Sequence, residues 1–246
     1  SKLTPLRILI AVYLMPGALV APLCFAEDDA LRIAQAVYDR DDGKDSVAKV
    51  EMKLIESDGS EKLRVLESSA KDYGELSKRL IRFNTPESIR GTSFLSLERN
   101  EKSDDQFLYL PSIHRVRRIA SDQKDRSFVN TYFSYEDLER RKVERDNYTL
   151  LRTEKAGEKD TWVLERRAKD SDDSQYGKVV MWVAKDSYVI VKAEMYDKKD
   201  ALFKVLTVDE LRQVDGVWTA MQTTMSNLEE KHKTVDKVLS VKYNGG

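Results

Sequence analysis

The chain has 246 residues, of which 35% are charged and 41% belong to the hydrophobic set A, V, I, L, M, F, W, Y and C. This balance excludes a collagen-like, low-complexity or wholly disordered chain. The 42 basic and 43 acidic residues give a net charge of -1, which argues against nucleic acid as the main partner. Two histidines and one cysteine are too few for a zinc or iron–sulfur site.

The N-terminal segment has the features of a targeting sequence. A basic start precedes an uncharged stretch over residues 8–26, which ends in small residues before an acidic run. This pattern predicts a secretory signal peptide over residues 1–26, cleaved after Ala26, which leaves 27–246 as one exported domain. A retained membrane anchor is the rival interpretation, although two prolines and a glycine within the stretch argue against a spanning helix. Lipidation at Cys24 is a third option, but the preceding Pro-Leu pair lacks the small residues that a lipoprotein signal needs.

The first predicted element after this segment is one amphipathic helix. Its apolar residues Ala30, Ile33, Ala34 and Val37 follow the i, i+3, i+4, i+7 spacing, which predicts a helix over 28–40.

The hydrophobic period then changes to two, which is typical of strands with one buried face. Turn signals at 57–60, at Gly157, at 186–187 and at Asp215-Gly216 separate many of the strands. The predicted strands span 48–54, 63–67, 81–83, 94–97, 104–110, 148–154, 161–168, 179–184, 189–196, 201–214, 217–225 and 232–243.

A second helix is predicted to start at Ser134, because Ser134 and Asp137 have the spacing of a capping box. About ten strands with two or three helices predict a mainly β (α+β) fold. We expect a strongly curved antiparallel sheet, or open half-barrel, with the helices laid across its concave face. Such a sheet can keep an apolar cavity, but from pattern alone an interior filled by the protein's own side chains is the more frequent outcome.

No catalytic motif supports an enzyme. The sequence contains no G-x-S-x-G elbow, no Walker loop and no dinucleotide-binding glycine motif. His114 and His232 have no neighbour that suggests catalysis, and a helix cap explains the acidic pair at 136–137. The acidic run at 170–173 lacks the spacing of a calcium loop and predicts a solvated turn. The sequence therefore predicts no catalytic residue, no metal site and no cofactor.

The most specific part of the sequence is the segment 107–138. It contains a Leu-Tyr-Leu-Pro strand end at 108–111, the basic strand Arg-Val-Arg-Arg-Ile at 115–119, a Ser-Phe pair at 127–128 and Phe-Ser-Tyr-Glu-Asp-Leu at 133–138. In these motifs the chain resembles the outer-membrane lipoprotein-sorting family of LolA-like periplasmic proteins. The likeness extends as a pattern through most of residues 27–246.

The resemblance implies a half-barrel with a helical lid whose apolar interior carries lipoprotein acyl chains or another lipid through the periplasm towards the outer membrane. An inner-membrane transporter of the RND type and an outer-membrane acceptor are the partners it implies. The residues that we expect to line the cavity are apolar residues on strands: Met52, Leu54, Ile81, Phe83, Phe94, Leu108, Leu110, Trp182, Val191 and Met195. Arg115, Arg117 and Arg118 are candidates for contact with a lipid head group or a partner protein.

Two function classes stay open at this point. The first is a carrier with a vacant apolar cavity. The second is a non-enzymatic interaction or scaffold protein of the envelope, accessory to an RND-type exporter, with a filled core. Each candidate lining residue is more often part of an ordinary core than a ligand contact, and the basic strand is equally compatible with a solvated face.

Overall fold

The computed structural model describes residues 27–246, so the predicted signal peptide lies outside the described residues. These residues form a single α-helix and one antiparallel sheet of thirteen strands. The elements are α1 (Glu27–Asp39), β1 (Asp45–Ile55), β2 (Glu61–Tyr73), β3 (Leu76–Thr85), β4 (Ser93–Arg99), β5 (Lys102–Leu110), β6 (Arg115–Arg118), β7 (Asp146–Ala156), β8 (Lys159–Ala168), β9 (Lys178–Ala184), β10 (Ile190–Tyr196), β11 (Leu202–Val214), β12 (Val217–Asn227) and β13 (His232–Tyr243). The prediction of about ten strands was therefore too low.

The strand order follows the chain except at the centre of the sheet. It runs β6-β5-β4-β3-β2-β1-β13-β12-β11-β10-β9-β8-β7, so the first and last strands pair in the middle. Apart from β6 and β7, consecutive strands pair with each other, and the predicted turns at Gly59 and Gly216 both have the positive φ that a tight turn requires. The large curved open sheet confirms the mainly β architecture.

The order places β6 and β7, which are neighbours in the chain, at opposite edges of the sheet. The connecting segment 119–145 must therefore cross one face. It crosses the face that also receives α1, here called the concave face, since Ile119, Phe128 and Tyr135 are buried against strands of the first half of the sheet. This crossing segment supplies the cover for one half, and α1 supplies the cover for the other.

The predicted second helix is wrong. The capping bonds exist: the Ser134 amide donates to Asp137 Oδ2 at 2.8 Å and the Asp137 amide donates to Ser134 Oγ at 3.2 Å. Only one 3-10 turn, Glu136–Leu138, follows, and the backbone is extended again at Glu139. The physical reason is that the next side chains reach buried partners on opposite sides, Arg140 towards Glu98 and Arg141 towards Asp146, as in an extended chain. The crossing segment thus covers the sheet without forming a helical lid.

Candidate functional site

A cavity of about 460 Å³ lies between α1, the crossing segment and the concave face of the sheet. Its size is within the ~300–1,000 Å³ range of small-molecule sites. Its wall combines residues from α1, from both halves of the sheet and from residues 133–143. The cavity therefore lies where the cover from α1 meets the cover from the crossing segment.

The floor of the cavity is apolar. The cluster below α1, here called the helix-covered cluster, includes Ile33 at 0% exposure and Leu164 at 0%. Three methionines contribute to the floor, and an unbranched thioether side chain can adapt its shape to a ligand. The floor includes Ala34, Met181, Val183, Ala193, Met195 and Met225.

The mouth of the cavity is charged. It is lined by Arg40, Asp42, Asp72, Arg79, Glu98 and Arg140. An outer groove shares Asp42, Asp72 and Arg140 with the cavity, so the charged end faces solvent. The combination of an apolar floor and a charged mouth suits an amphiphilic ligand.

Glu98 organises one side of this mouth. Its side chain is 2% exposed and accepts hydrogen bonds from Lys142 Nζ at 3.1 Å, from the Ser77 amide at 2.9 Å and from the Tyr38 hydroxyl. Burial acts to raise the pKa of Glu98, but these donors outweigh it and hold the pKa below its usual range. Arg140 stacks 3.9 Å from the Tyr38 ring centroid and donates to the Tyr38 carbonyl at 2.6 Å. Glu98 and Arg140 thereby tie α1 to β4 and to the crossing segment.

A second buried network fixes the crossing segment above the helix-covered cluster. The Tyr176 hydroxyl donates to Asp137 Oδ1 at 2.6 Å, and Lys204 Nζ donates to Asp137 Oδ2 at 3.1 Å. Burial, together with the negative charge of Asp137, raises the pKa of Tyr176 well above its usual range. The Gln175 amide donates to Glu136, 3.2 Å from Oε1. The acids at 136 and 137 therefore anchor backbone and side chains, which is the structural role expected from the sequence.

Most of the residues predicted to line a cavity lie in a closed core instead. They belong to the cluster under the crossing segment. Phe128, 1% exposed, fills this region with its ring centroid 5.2 Å from Phe94 and 5.8 Å from Phe83, and Tyr135 packs beside it. The predicted residues so placed, none of which lines the cavity, are Met52, Leu54, Ile81, Phe83, Phe94, Leu108 and, partly buried, Leu110.

Trp182 and Val191 require a correction, because they lie in a cluster on the opposite, outer face of the sheet. On β9 the alternate residues Met181 and Val183 face the concave side, so Trp182 faces outwards.

Val191 faces outwards because of an irregularity in β10. The register shifts between Ile190 and Lys192, and this bulge turns Val191 outwards, although it is two residues from Ala193 and would share its face in a regular strand. Met195 does lie in the wall of the cavity.

The three predicted arginines lie on β6, an edge strand with every residue exposed. Arg115 and Arg117 are opposite Leu110 and Leu108, so they share the concave side. Arg118 is opposite Phe107 and pairs with Asp105 at 2.8 Å. Val116 is 65% exposed between them. The strand is separate from the cavity.

Sequence reasoning missed the residues that build the cavity, above all Arg79, Met181 and Met225. Met181 lies within a strand that is buried on both faces, where no alternation signals its direction. Arg79 lies in the Lys-Arg-Leu-Ile-Arg run of β3. The other two charged residues of this run face outwards, so the run indicates a third solvent-facing charge at Arg79. Its even spacing to Ile81 and Phe83 was the available signal.

Within residues 27–246, no cluster of histidine, cysteine, aspartate and glutamate has an arrangement suited to a metal ion. The helix found among these residues is too short and too polar to cross a membrane.

Three solved structures each match about nine tenths of this chain. A candidate outer membrane lipoprotein-sorting protein domain from Vibrio parahaemolyticus is 34% identical, with a TM-score of 0.84, over 90% of this chain and 94% of that chain. A DUF1329 family protein from Desulfovibrio piger is 31% identical, with a TM-score of 0.80, over 89% of this chain and 92% of that chain. A LolA superfamily protein from Nitrosomonas europaea shares the fold at 20% identity and a TM-score of 0.68, over 91% of this chain and 96% of that chain.

A family described only as an uncharacterized protein matches residues 75–246. No match was found among curated proteins.

Proposed function

Because this chain belongs to the outer-membrane lipoprotein-sorting, LolA-like family, we propose that it is a periplasmic carrier for an acylated molecule. The cavity between α1 and the sheet holds the acyl chain of a lipoprotein or of another lipid during transfer towards the outer membrane. The proposal is one of binding without catalysis. The observation that supports it is the 460 Å³ cavity with its apolar floor and charged mouth.

The physical basis is the removal of an alkyl chain from water. Each methylene that leaves water contributes about 0.8 kcal/mol, so a chain on the floor of Met181, Val183 and Met225 is stabilised without any specific polar bond. The charged mouth keeps the head group in contact with solvent. A cargo bound in this way can be handed on, because its release breaks no buried polar bond in the floor.

A second function is supported by the closed half of the sheet and the exposed edge strand. Phe128 and Tyr135 fill the hollow where a larger lipid would otherwise enter. The β6 edge presents Arg115, Arg117 and Val116 to solvent. In this alternative the protein is a non-enzymatic scaffold of the envelope, accessory to an RND-type exporter, and binds an acidic partner through β6.

Solvent extraction of the purified protein followed by mass spectrometry separates the two functions. The carrier is expected to release a stoichiometric acylated molecule. The variant Ala193→Leu adds three carbon atoms to the cavity floor and is expected to lose most of it. Ala156→Leu makes the same change beside the outer cluster and serves as the control, with unchanged lipid content.

An absence of lipid in the wild type, together with failure to take up acyl chains from phospholipid vesicles, would rule out the carrier. Equal lipid content in both variants would place the bound molecule elsewhere. The scaffold function instead requires that partner binding be lost in the triple variant Arg115→Gln, Arg117→Gln, Arg118→Gln.

A further inference from the structure

Arg79 lies on the concave face of β3 with free space beside it. It shares this face with Ile81 and Phe83, two and four residues further along the strand. Its cross-strand neighbours are Ala70 on β2 and Ser96 on β4. All three line the cavity, and the two neighbours are too small to fill the space next to a guanidinium. Arg79 keeps its solvent access because the cavity itself lies against the side chain.

Arg79 is distinguished from the other arginines of the cavity wall by its lack of a partner. Among the described residues, no carboxylate oxygen lies within 4.0 Å of its nitrogens, and it makes no side-chain hydrogen bond of its own to any of them. By contrast, Arg140 reaches Glu98 and the Tyr38 carbonyl. Arg141 binds Asp146 through two bonds of 2.7 Å. These arginines hold the fold together, whereas Arg79 leaves all five of its N–H donors available.

The surroundings of Arg79 do not neutralise its charge. Desolvation lowers the pKa of Arg79, and the more distant carboxylates of Asp42 and Asp104 offset this only in part. Arg140 opposes them with a like charge. A guanidinium nevertheless stays protonated in a protein, so the cavity contains a cation with unused donors. Such a group gains most from an anion with two oxygens, which matches its planar fork.

We propose that Arg79 binds the acidic head group of a single-chain amphiphile, a carboxylate or a phosphate monoester, whose alkyl chain lies on the cavity floor. This inference rests on the proposed carrier function and names the class of its cargo. The two head groups share the geometry of paired anionic oxygens. Met181 and Met225 line the same cavity as Arg79, so one ligand can reach both the cation and the floor.

The test compares three ligands with the same sixteen-carbon alkyl chain, heptadecanoate, hexadecyl phosphate and hexadecanol, by displacement of a fluorescent fatty acid from the delipidated protein. We expect at least one anion to bind about tenfold or more tightly than the alcohol, since hydrogen bonds between ionised partners are stronger than those to a neutral hydroxyl. The anion that binds with the higher affinity identifies the head group. Arg79→Gln is expected to bring the affinities of both anions within about twofold of the alcohol's, and Arg79→Lys to keep part of the preference.

Arg82→Gln is the matched control. Arg82 is exposed on the opposite face of the same strand, where it donates to Ser93 Oγ at 3.3 Å, and its loss should leave the preference unchanged. Because Arg79 makes no bond that stabilises the fold, Arg79→Gln should unfold at the same temperature as the wild type or higher. Equal affinities of the wild type for hexadecanol and both anions would overturn the inference while the carrier function stands. A preference for the anions over hexadecanol that persists in Arg79→Gln would also overturn the inference. If none of the three ligands binds, both the inference and the carrier function fail.

Discussion

Asp236 is a half-buried residue with one carboxylate oxygen that the fold leaves unsatisfied. It lies on β13 directly opposite Met52 on one side and Thr223 on the other, and neither neighbour carries a charge. Its Oδ1 is buried without a hydrogen-bond partner among the described residues. Desolvation raises the pKa of Asp236 from 3.8 to about 7. A single residue thus makes the stability of the whole sheet depend on pH.

The sign of this dependence follows from proton binding. Between about pH 4 and pH 7 the folded state holds the Asp236 proton and the unfolded state does not, so the free energy of unfolding decreases as the pH rises. We expect Asp236→Asn to be more stable than the wild type at pH 8 by up to about 4 kcal/mol, with most of the difference gone at pH 4. Urea unfolding of both proteins at pH 8 and pH 4 measures this difference in the free energy of unfolding. The exposed Asp125→Asn is the control for removal of one negative charge, and an equal pH profile for the two variants would contradict the prediction.

The positions of the candidate site residues show what the sequence could and could not specify. Alternation identified Ile81 and Phe83 as inward-facing, because β3 is buried on one face only. It failed for Trp182, because β9 is buried on both faces and its two sides carry equally apolar residues. It failed for Val191 because a bulge reverses parity within β10, and nothing in the local composition marks a bulge.

The crossing segment 119–145 decides where the concave face is filled and where the cavity remains. Its irregular backbone is fixed by aromatic side chains over the first half and by ion pairs near the second. Strand and hairpin positions were largely predictable, because period-two patterns and turn residues are local signals. The crossing segment was not, because its backbone follows distant partners such as Glu98 and Asp146.

Phe128 should contribute strongly to holding this segment on the sheet. It is 1% exposed and contacts the rings of Phe83, Phe94 and Tyr135. We expect Phe128→Ala to lower the free energy of unfolding by about 3–5 kcal/mol, through lost burial and an unfilled cavity. Urea unfolding measures the loss. Phe107→Ala, on the half-buried outer side of β5, should cost clearly less; similar losses would mean that the segment does not depend on this contact.

Glu98 should couple α1 to the crossing segment. Removing it leaves Lys142, which is 8% exposed at its side chain, without its carboxylate partner. We expect Glu98→Ala to cost about 3–5 kcal/mol, as is usual when one partner of a buried ion pair is lost. Glu87→Ala is the control, since the exposed Glu87–Arg90 pair should contribute no more than about 1 kcal/mol. Both values come from denaturant unfolding, and a small loss for Glu98→Ala would show that α1 is held by its apolar face alone.

The concave faces of the two halves of the sheet are covered differently. They meet at the β1–β13 pair, which joins the start and the end of the described chain. The part of the first half under Phe128 is closed by aromatic residues, whereas the cavity has its apolar floor on the second half beneath α1 and reaches Arg79 and Glu98 on the first. The half-barrel and a cavity were predictable from pattern and resemblance. The position of the cavity was not predictable, because it depends on where the crossing segment places Phe128.

The size of the cavity predicts how affinity depends on chain length. A cavity of 460 Å³ has room for about fifteen water-sized groups, taking ~30 Å³ for each. For a series of n-alkanols we expect affinity to rise about fourfold per methylene, the equivalent of 0.8 kcal/mol, and then to level off before the chain exceeds about fifteen carbons. Ligand-induced shifts of the unfolding temperature report these affinities.

The point at which affinity levels off tests where the chain binds. In Ala193→Leu the floor is smaller, so affinity should level off at a shorter chain than in the wild type, while Ala156→Leu should leave the limit unchanged. An affinity that keeps rising through eighteen or more carbons would indicate an open surface. A flat series would show that the alkyl chain does not enter the protein. A limit shared by all three proteins would place the chain outside the floor formed by Ala193, and the cavity beneath α1 would then not be the binding site.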